Sequence, residues 1–237
     1  MKRYSKQSRF LFAVDCIIFG FDGQELKLLV IHRGFEPLKG KWSLVGGFIQ
    51  PDESSEEAAS RILINLTGLD GAHMEQLYTF SEPERDSVER TVSIAYFALI
   101  DIQQYKRQLS DDYHPEWFSI NHVPKLIFDH NEMVELAKQK LRYKAALHPI
   151  LFELLPPKFT VPQLQNLYEC VYEVTFDKRN FSRKVLSTGL LIKQNDKQKG
   201  SSRKGAFYHK LNRKRYNAKF NAFLKLIPNP GALKVMQ

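Results

Sequence analysis

The stretch GFIQPDESSEEAASRILINLTGL, residues 47–69, decides the fold of the first part of the chain. Its middle is typical of a helix whose two ends are both marked by side chains. Ser54 is a candidate N-cap, and Glu57, placed three residues later, is its capping-box partner. Gly68 supplies a C-terminal stop, because glycine adopts a left-handed backbone at little cost. The sequence therefore predicts a helix between Ser54 and Gly68.

Runs rich in β-branched and aromatic residues surround this helix and predict a β-sheet. The first two runs, residues 10–20 and 26–32, are joined by turn-forming residues. Further strands are predicted at residues 42–49, 76–80 and 91–100. From Asn131 onward an apolar periodicity predicts a closing helix, which Asp129 or Asn131 could cap. The first part of the chain is thus predicted to have an α/β (α+β) fold, with a mixed sheet between helices.

The residue spacing within the opening stretch resembles the Nudix box. Five positions separate its glycine from its glutamate, and seven separate that glutamate from its arginine. The matching residues are Gly47, Glu53, Arg61, Gly68 and Leu69. The resemblance implies a Nudix fold, which we assign to residues 1–149. Arg61 is expected to keep a structural ion pair or hydrogen bond near the loop of residues 47–53.

The metal-binding carboxylates of an active Nudix box are missing. An active box has them at the positions occupied here by Ile62, Asn65 and Leu66, where their spacing places them on one helix face to hold Mg²⁺ against a diphosphate. Apolar side chains cannot coordinate a hard cation, so metal-assisted attack loses its charge stabilisation. We therefore expect no catalytic residue, no metal and no cofactor, and interpret the box as a retained scaffold.

Three glutamates survive near the start of the predicted helix: Glu53, Glu56 and Glu57. Carboxylates there interact favourably with the positive end of a helix, which is a purely structural explanation. Residual metal binding is the other explanation, and an active Nudix pyrophosphatase that also binds DNA stays an alternative hypothesis.

Charge is distributed unevenly along the chain and predicts a second domain. Residues 1–149 carry 18 basic and 21 acidic side chains, whereas residues 150–237 carry 17 and 5. A strongly basic segment attracts polyanions, of which nucleic acid is the usual one. A solvated basic surface would have the same composition, so charge alone does not decide between them.

The basic half, residues 150–237, has the pattern of short helices followed by a hairpin. An apolar helix is predicted over residues 145–155, a second from Thr160 to about Val174, and a third capped by Asp177 and ended by Gly189. In the third helix, the apolar residues expected to face inward are Phe181, Val185 and Leu186.

The N-terminal part of the third helix has the composition of a DNA recognition helix. Residues at this place reach base edges in the major groove of DNA, and arginine and asparagine can bind guanine and adenine there. The predicted DNA-binding residues of this helix are Lys178, Arg179, Asn180, Ser182, Arg183 and Lys184. The alternative is an amphipathic helix with a charged outer face.

A basic loop after this helix favours DNA binding. The segments LLIKQ and AFYHKL, residues 190–194 and 206–211, flank a loop that resembles the wing of a winged helix-turn-helix domain. Lys199, Arg203 and Lys204 in this loop are predicted to contact phosphates or the minor groove. Double-stranded operator DNA is therefore the predicted partner, with RNA as an alternative.

Taken together, the two halves resemble the Nudix-related transcriptional regulators over nearly the full length. In the second half the resemblance lies in LLPPKFTVPQLQNLYE and DKRNFSRKVLSTGLL. It implies a homodimer whose Nudix domain binds an effector and whose winged helix binds palindromic operators. The chain looks most like the arabinose-responsive AraR branch, which implies a repressor of sugar utilisation released by L-arabinose. Branches that respond to ADP-ribose and regulate NAD metabolism are the alternative.

An effector site for a sugar needs planar polar side chains and an aromatic face. The candidates at the mouth of the predicted sheet are Lys41, Trp42, Phe48, Glu82, Arg85 and Arg90. A core position suits Trp42 equally well, and the charged loop of residues 81–90 could simply be solvated. His130 is expected to be a hydrogen-bonded structural histidine.

The remaining composition indicates a protein of a reducing compartment without a membrane partner. Cys16 and Cys170 each lie in an apolar run, which favours neither a disulfide framework nor a zinc site. No apolar run approaches the roughly 20 residues of a membrane span, and the start MKRYSKQSR lacks the apolar core of a signal peptide. We expect a cytoplasmic location.

Overall fold

A computed structural model describes residues 7–72, 74–105, 113–198 and 205–216. Its strands and helices follow the chain in this order: β1 (Leu11–Phe21), β2 (Leu26–His32), β3 (Trp42–Ser43), β4 (Val45–Phe48), α1 (Ser55–Thr67), β5 (Met74–Phe80), β6 (Thr91–Asp101), α2 (Ile102–Tyr105), β7 (Pro115–Ser119), α3 (His130–Leu147), β8 (Phe159–Thr160), α4 (Val161–Tyr172), α5 (Lys178–Ser187), β9 (Leu191–Gln198), β10 (Ala206–Leu211) and α6 (Arg213–Tyr216). Single 3₁₀ turns cover Ile120–His122 and Ile150–Leu154. Within the described ranges, no helix combines the length and hydropathy that crossing a bilayer requires.

Strand β1 is the centre of a mixed sheet of seven strands. It runs parallel to β6 and antiparallel to β2 and β4, while β3 and β7 pair with β2, and β5 pairs with β6. Both faces of β1 are buried, with Ile17 and Phe19 in one apolar cluster and Cys16 and Ile18 in the other. The predicted mixed sheet between helices is confirmed.

Helix α1 covers one face of this sheet, and its ends are those that the sequence predicted. The Ser54 hydroxyl accepts from the Glu57 backbone N–H, and the Glu57 carboxylate accepts from the Ser54 N–H, which completes the capping box. Gly68 ends the helix in the left-handed region with φ 71°. The buried side of α1, including Ile62 and Leu63, packs into the cluster below the sheet.

Helix α3 covers the opposite face and is longer than predicted. The expected helix over residues 145–155 is wrong, because α3 runs on to Leu147 and a separate 3₁₀ turn follows. Pro149 explains the break, since the residue before a proline is driven out of the helical region, and His148 is extended with φ −133° and ψ 147°. Leu151 and Leu154 of the turn nevertheless join the core beside α3.

The second half contains a helix pair and a small sheet with the strand order β8-β10-β9. Thr160 caps α4, and Asp177 caps α5 through its contact with the Asn180 N–H, both as predicted. Gln163 completes a capping box with Thr160. Tyr168 of α4 is fully buried against Phe181 of α5, with ring centroids 5.8 Å apart. This contact fixes the two helices relative to each other.

The two halves share a hydrophobic core and a seam of hydrogen bonds. Leu164 and Leu167 of α4 belong to the same buried cluster as Phe19 of β1. Across the seam, Asn166 Nδ2 donates to the Gln24 carbonyl oxygen at 2.7 Å. The winged helix is therefore packed directly on the β1–β2 hairpin and on α3.

Candidate functional site

A cleft with a volume of about 550 Å³ opens at the N-terminal end of β1, beside β4 and two loops. This size is typical of small-molecule sites. Apolar and aromatic side chains, among them Phe35, Phe48, Leu66 and Tyr113, form part of its wall. Its charged lining consists of Asp15, Arg33, Arg85, Asp86 and Glu89. The cleft thus combines aromatic faces with groups that can bind hydroxyls or phosphate.

A buried ion-pair cluster centred on Arg85 forms the floor of the cleft. Arg85 Nε and Nη2 donate to the two carboxylate oxygens of Asp129 at 2.8 and 2.7 Å. Arg85 Nη2 also lies 3.7 Å from Asp15 Oδ2, an oxygen that accepts from Ser93 Oγ at 2.6 Å. Bidentate pairing compensates charges that burial would otherwise penalise. Arg85 therefore fastens the loop of residues 81–90 to the start of α3.

His130, the first residue of α3, has the structural role predicted for it. Its Nδ1 accepts a hydrogen bond from the Leu44 N–H at 3.1 Å, and its Nε2 lies 3.5 Å from Asp15 Oδ1. Burial lowers the pKa of His130, so the ring is neutral near neutral pH. An accepting Nδ1 places the ring proton on Nε2, where it faces the Asp15 carboxylate.

Asp129 and Asn131 do not cap α3 with their side chains. The Asp129 carboxylate is occupied by Arg85, and Asp129 makes no side-chain capping bond although it precedes the helix. Asn131 Oδ1 instead accepts from the Leu126 N–H at 3.0 Å. Both side chains hold neighbouring segments in place around the cleft.

The ion pair expected of Arg61 is present. Arg61 Nε and Nη2 donate to the Glu53 carboxylate at 2.8 and 2.5 Å, and Nη2 also donates to the Phe48 carbonyl oxygen at 3.0 Å. The hydrogen bond from Arg61 lowers the pKa of Glu53 to about 2. This pair braces the loop between β4 and α1, next to the cleft residue Phe48.

The residues at the metal-binding positions of the Nudix box do not fit Mg²⁺. Ile62 is buried, and its Cδ1 lies 3.1 Å from the place that a Cβ on Gly47 would occupy. Asn65 is exposed, and Leu66 lines the cleft. In the part of the chain that the structure describes, no three His, Cys, Asp or Glu side chains are grouped so that they could hold a metal ion.

The structure brings only two of the six predicted effector residues to the cleft, Phe48 and Arg85. Trp42 packs edge-on against His32 and Phe118, with ring centroids 4.8 and 5.0 Å away. Lys41 is exposed and lies outside the cleft lining.

Glu82 and Arg90 form part of the loop structure beside the cleft and are not in its lining. Arg90 donates to the backbone carbonyl oxygens of Glu82 and Ser81 at 3.1 and 3.0 Å. Its guanidinium carbon also lies 5.1 Å from the centre of the Phe10 ring. These contacts hold the two ends of the loop together.

Arg33 and Phe35 are cleft residues that sequence reasoning missed. The Arg33 guanidinium carbon lies 4.3 Å from the centre of the Phe35 ring, and its Nε and Nη2 donate to the Pro37 carbonyl oxygen. Their position in a loop directly after a buried strand could have indicated them, because rigid strands commonly position binding residues at their ends.

Helix α5 exposes the residues predicted to read DNA. Lys178, Arg179, Asn180, Arg183 and Lys184 are exposed, and Ser182 is half-buried. Arg183 Nη2 donates to Asn180 Oδ1 at 2.9 Å, which aligns these two side chains on the outer face. Their contacts with DNA stay a prediction.

One packing prediction for α5 is wrong. Phe181 and Val185 are buried as expected, but Leu186 is 48% exposed. Adjacent helical residues are rotated by about 100°, so Leu186 turns away from the face that Val185 buries. Leu186 consequently adds an apolar residue to the exposed surface of the helix.

The predicted hairpin is present as β9 and β10. The ammonium groups of Lys193 and Lys197 lie 3.7 and 4.3 Å from the centre of the Phe207 ring, so that both cations flank one aromatic side chain. The predicted wing residues Lys199, Arg203 and Lys204 lie outside the described residues.

Both halves match known families. The model described as "NrtR DNA-binding winged helix domain" matches residues 151–211, and the "NUDIX domain" model matches residues 9–137. The ADPR responsive transcriptional repressor NtrR of Acinetobacter baylyi is 31% identical over 219 residues, which is 91% of this chain and 87% of the relative. The chain belongs to the NrtR family of Nudix-type transcriptional regulators.

Solved NrtR structures agree with this assignment. Shewanella oneidensis NrtR complexed with a 27mer DNA is 30% identical, with a TM-score of 0.74 over 87% of this chain and 95% of that one. The NUDIX domain of the same protein complexed with ADP ribose is 30% identical, with a TM-score of 0.52 over 59% of this chain and 94% of that one. The predicted Nudix fold followed by a winged helix is confirmed.

The comparisons do not support the AraR branch or a role in sugar utilisation. The ADP-ribose pyrophosphatase of Methanocaldococcus jannaschii, 33% identical over 145 residues, covers 61% of this chain and 80% of its own length. ADP-ribose is the ligand or substrate named for this enzyme, for the Acinetobacter baylyi repressor and for the Shewanella oneidensis NUDIX domain, and arabinose is named for none of them. The ADP-ribose alternative is the better supported of the two effectors.

Proposed function

We propose that this NrtR family member is a transcriptional repressor that binds operator DNA as a homodimer and is released by ADP-ribose. The observation that carries the proposal is the joint similarity of both halves to an ADPR responsive repressor, spanning 91% of the chain. A regulator of this kind needs a DNA-reading helix and an effector cleft on the same core, and α5 and the cleft at β1 are suited to these tasks.

The chemistry of the cleft supports ADP-ribose over L-arabinose. ADP-ribose has a flat base that can stack, a diphosphate that carries negative charge, and ribose hydroxyls. Phe35, Phe48 and Tyr113 offer aromatic faces, and Arg33 offers a cation. A single neutral pentose would leave much of the cleft of about 550 Å³ unfilled.

We infer that the cleft binds its effector without hydrolysing it. Hydrolysis by a Nudix site depends on a metal ion that polarises the diphosphate and supplies the nucleophile. Ile62 and Leu66 stand where two of the required carboxylates would be, and Ile62 is part of the core. The surviving Glu53 is paired with Arg61, so it serves the structure of the loop.

Release from DNA requires that ADP-ribose bind the DNA-incompetent arrangement of the dimer more tightly than the DNA-bound one. Helix α3 supports such a link, because it starts at the floor of the cleft with His130 and contacts α4 near its other end through Arg142.

A gel-shift titration on cognate promoter fragments tests the proposal. We expect a retarded complex that ADP-ribose dissociates and that L-arabinose leaves unchanged. An ADP-ribose-insensitive complex would contradict the effector, and the absence of any retarded band would contradict the repressor. Magnesium-dependent turnover of ADP-ribose at ordinary enzyme rates would establish the pyrophosphatase alternative. Sedimentation of the free protein tests the homodimer.

A matched pair of variants locates the effector site. Arg33→Ala removes a cation from the cleft and is expected to weaken ADP-ribose binding by about tenfold or more, because hydrogen bonds to charged groups are strong. Lys41→Ala removes the same charge from an exposed position outside the cleft lining and should leave the affinity unchanged. Equal effects of the two changes would place the effector elsewhere.

A further inference from the structure

The face of α1 that borders the cleft is apolar. Leu66 is half-buried and lines the cleft, while Ile62, one turn earlier, is 4% exposed. We propose that ADP-ribose binds this cleft independently of divalent cations and that Leu66 makes an apolar contact with it. This inference rests on the proposed function. Leu66 takes the place at which a hydrolase presents a metal-binding carboxylate to the diphosphate.

The surviving glutamates near the start of α1 are already used by the protein. Glu53 is bound by Arg61 and by the Gln50 N–H at 2.7 Å. Glu57 accepts from the Ser54 N–H at 2.8 Å, and Glu56 accepts from Ser55 Oγ at 3.1 Å. None of these carboxylates belongs to the cleft lining, so a metal ion at the diphosphate would not gain them as ligands.

Two of the three carboxylates that line the cleft, Asp15 and Asp86, are engaged separately. Asp15 accepts from Ser93 and lies beside Arg85 and His130. Asp86 Oδ1 accepts from the Val88 N–H within its own loop at 2.8 Å. Mg²⁺ needs near-octahedral oxygen ligands and dehydrates reluctantly, and the described side chains do not converge on such a site.

Side chains of the protein, and not a metal ion, must therefore compensate the negative charge of a bound diphosphate. Arg33 lines the cleft and is not paired with a carboxylate among the described ion pairs, unlike Arg85, which is held by Asp129. Gly46 and Gly47 also line the cleft, and a Cβ at these positions would meet Asp15 and Ile62. A cation of the protein and an apolar wall replace the metal cluster of a hydrolase.

Calorimetric titration of the full-length protein with ADP-ribose, in magnesium and in chelator, tests the inference. We expect dissociation constants that agree within about twofold, because no bound ion contributes to the affinity. Loss of binding in chelator, with binding restored by magnesium, would overturn the inference and leave the proposed effector standing. Absence of binding in both buffers would instead overturn the proposed effector, and this inference with it.

Leu66→Glu places a carboxylate back at the cleft. In chelator, it should weaken ADP-ribose binding by about tenfold or more, since it sets like charges against each other, and magnesium should restore part of the loss. Ile64→Glu is the matched control, because it adds the same charge to α1 at a position that is 40% exposed and outside the cleft lining. Wild-type affinity of a folded Leu66→Glu protein would overturn the contact assigned to Leu66. The comparison of buffers on the unmodified protein holds even if this variant fails to fold.

Discussion

Arg142 of α3 donates a hydrogen bond from Nε to the Val171 carbonyl oxygen of α4 at 2.7 Å, and so joins the effector half of the chain to the DNA-binding half. A second hydrogen bond joins the same two helices, because Tyr172 Oη donates to the Arg142 carbonyl oxygen at 3.0 Å. Arg142 Nη2 also lies 2.6 Å from Glu173 Oε1, a close ion pair that is not aligned as a hydrogen bond. Together these contacts fix the end of α4 against α3.

Arg142→Ala is expected to loosen the link between effector and operator. Removing the guanidinium leaves the Val171 carbonyl without its charged donor, which should lower the free energy of unfolding by about 1–3 kcal/mol. We also expect ADP-ribose to release DNA less effectively, while operator binding without effector persists. Denaturant unfolding and gel shifts with and without ADP-ribose measure both effects.

Gln139→Ala is the control for this change, because it truncates an exposed residue of the same helix. It should behave like the unmodified protein in both assays. If Arg142→Ala kept full effector sensitivity, the contact of Arg142 with α4 would be structural only.

Arg183→Ala is expected to weaken operator binding by about 1–3 kcal/mol if Arg183 reads a base. The exposed guanidinium is held on the outer face of α5 by Asn180, which supports a contact in the major groove. The measurement is a titration of operator and of unrelated DNA. A base contact predicts a larger loss on the operator, whereas an equal loss on both sequences would make Arg183 a phosphate contact.

Phe181→Ala is expected to destabilise the helix pair by about 3–5 kcal/mol, the usual cost of emptying a buried aromatic site. The Phe181 side chain is 3% exposed and contacts the rings of Tyr168 and Phe176. Leu186→Ala, at a position 48% exposed on the same helix, should cost about 0.5 kcal/mol or less. Denaturant unfolding of both variants checks the difference, and similar losses would contradict the assigned faces of α5.

The Glu53–Arg61 pair gives stability that depends on pH. The pKa of Glu53 is lowered from 4.5 to about 2 by Arg61, so the pair stabilises the folded state above the unfolded pKa. This contribution is lost as the pH falls from about 4.5 through the folded pKa of about 2. Glu53→Gln should therefore unfold more easily than wild type at neutral pH.

Urea unfolding of wild type and Glu53→Gln across the acid range measures this dependence. The difference between the two proteins should shrink toward about pH 2, where Glu53 is protonated in wild type as well. Asp70→Asn removes an exposed carboxylate just beyond α1 and serves as the control. A difference that stays constant down to that pH would contradict the role given to the pair.

Features set by neighbours in the sequence could be predicted. The predicted caps Ser54, with its partner Glu57, and Thr160 are local, because each accepts from a backbone N–H three residues later. The box spacing also placed Arg61 near Glu53. These short-range signals predicted both ends of α1 and the start of α4.

Features set by distant contacts could not be predicted. Arg85 was predicted as an effector residue and does line the cleft, but its pairing with Asp129, 44 residues away in sequence, could not be predicted. Strand β7 starts with Pro115 and gains its order from pairing with β2, and β8 has only 2 residues and pairs with β10. Such strands carry too few residues for an alternating pattern to stand out.

The seam at the β1–β2 turn restricts how the halves of this protein can be recombined. Asn166 and Cys170 of α4 donate to the Gln24 carbonyl oxygen in the turn, not to its side chains. Gly23 in the same turn has a positive φ of 97°, which glycine adopts readily. We therefore expect changes of the Gln24 side chain to be tolerated, whereas Asp22 Oδ1 accepts from the Gln24 and Glu25 N–H groups and helps to set the backbone path. A chimera that moves this winged helix onto another Nudix domain would have to carry the path of that turn with it.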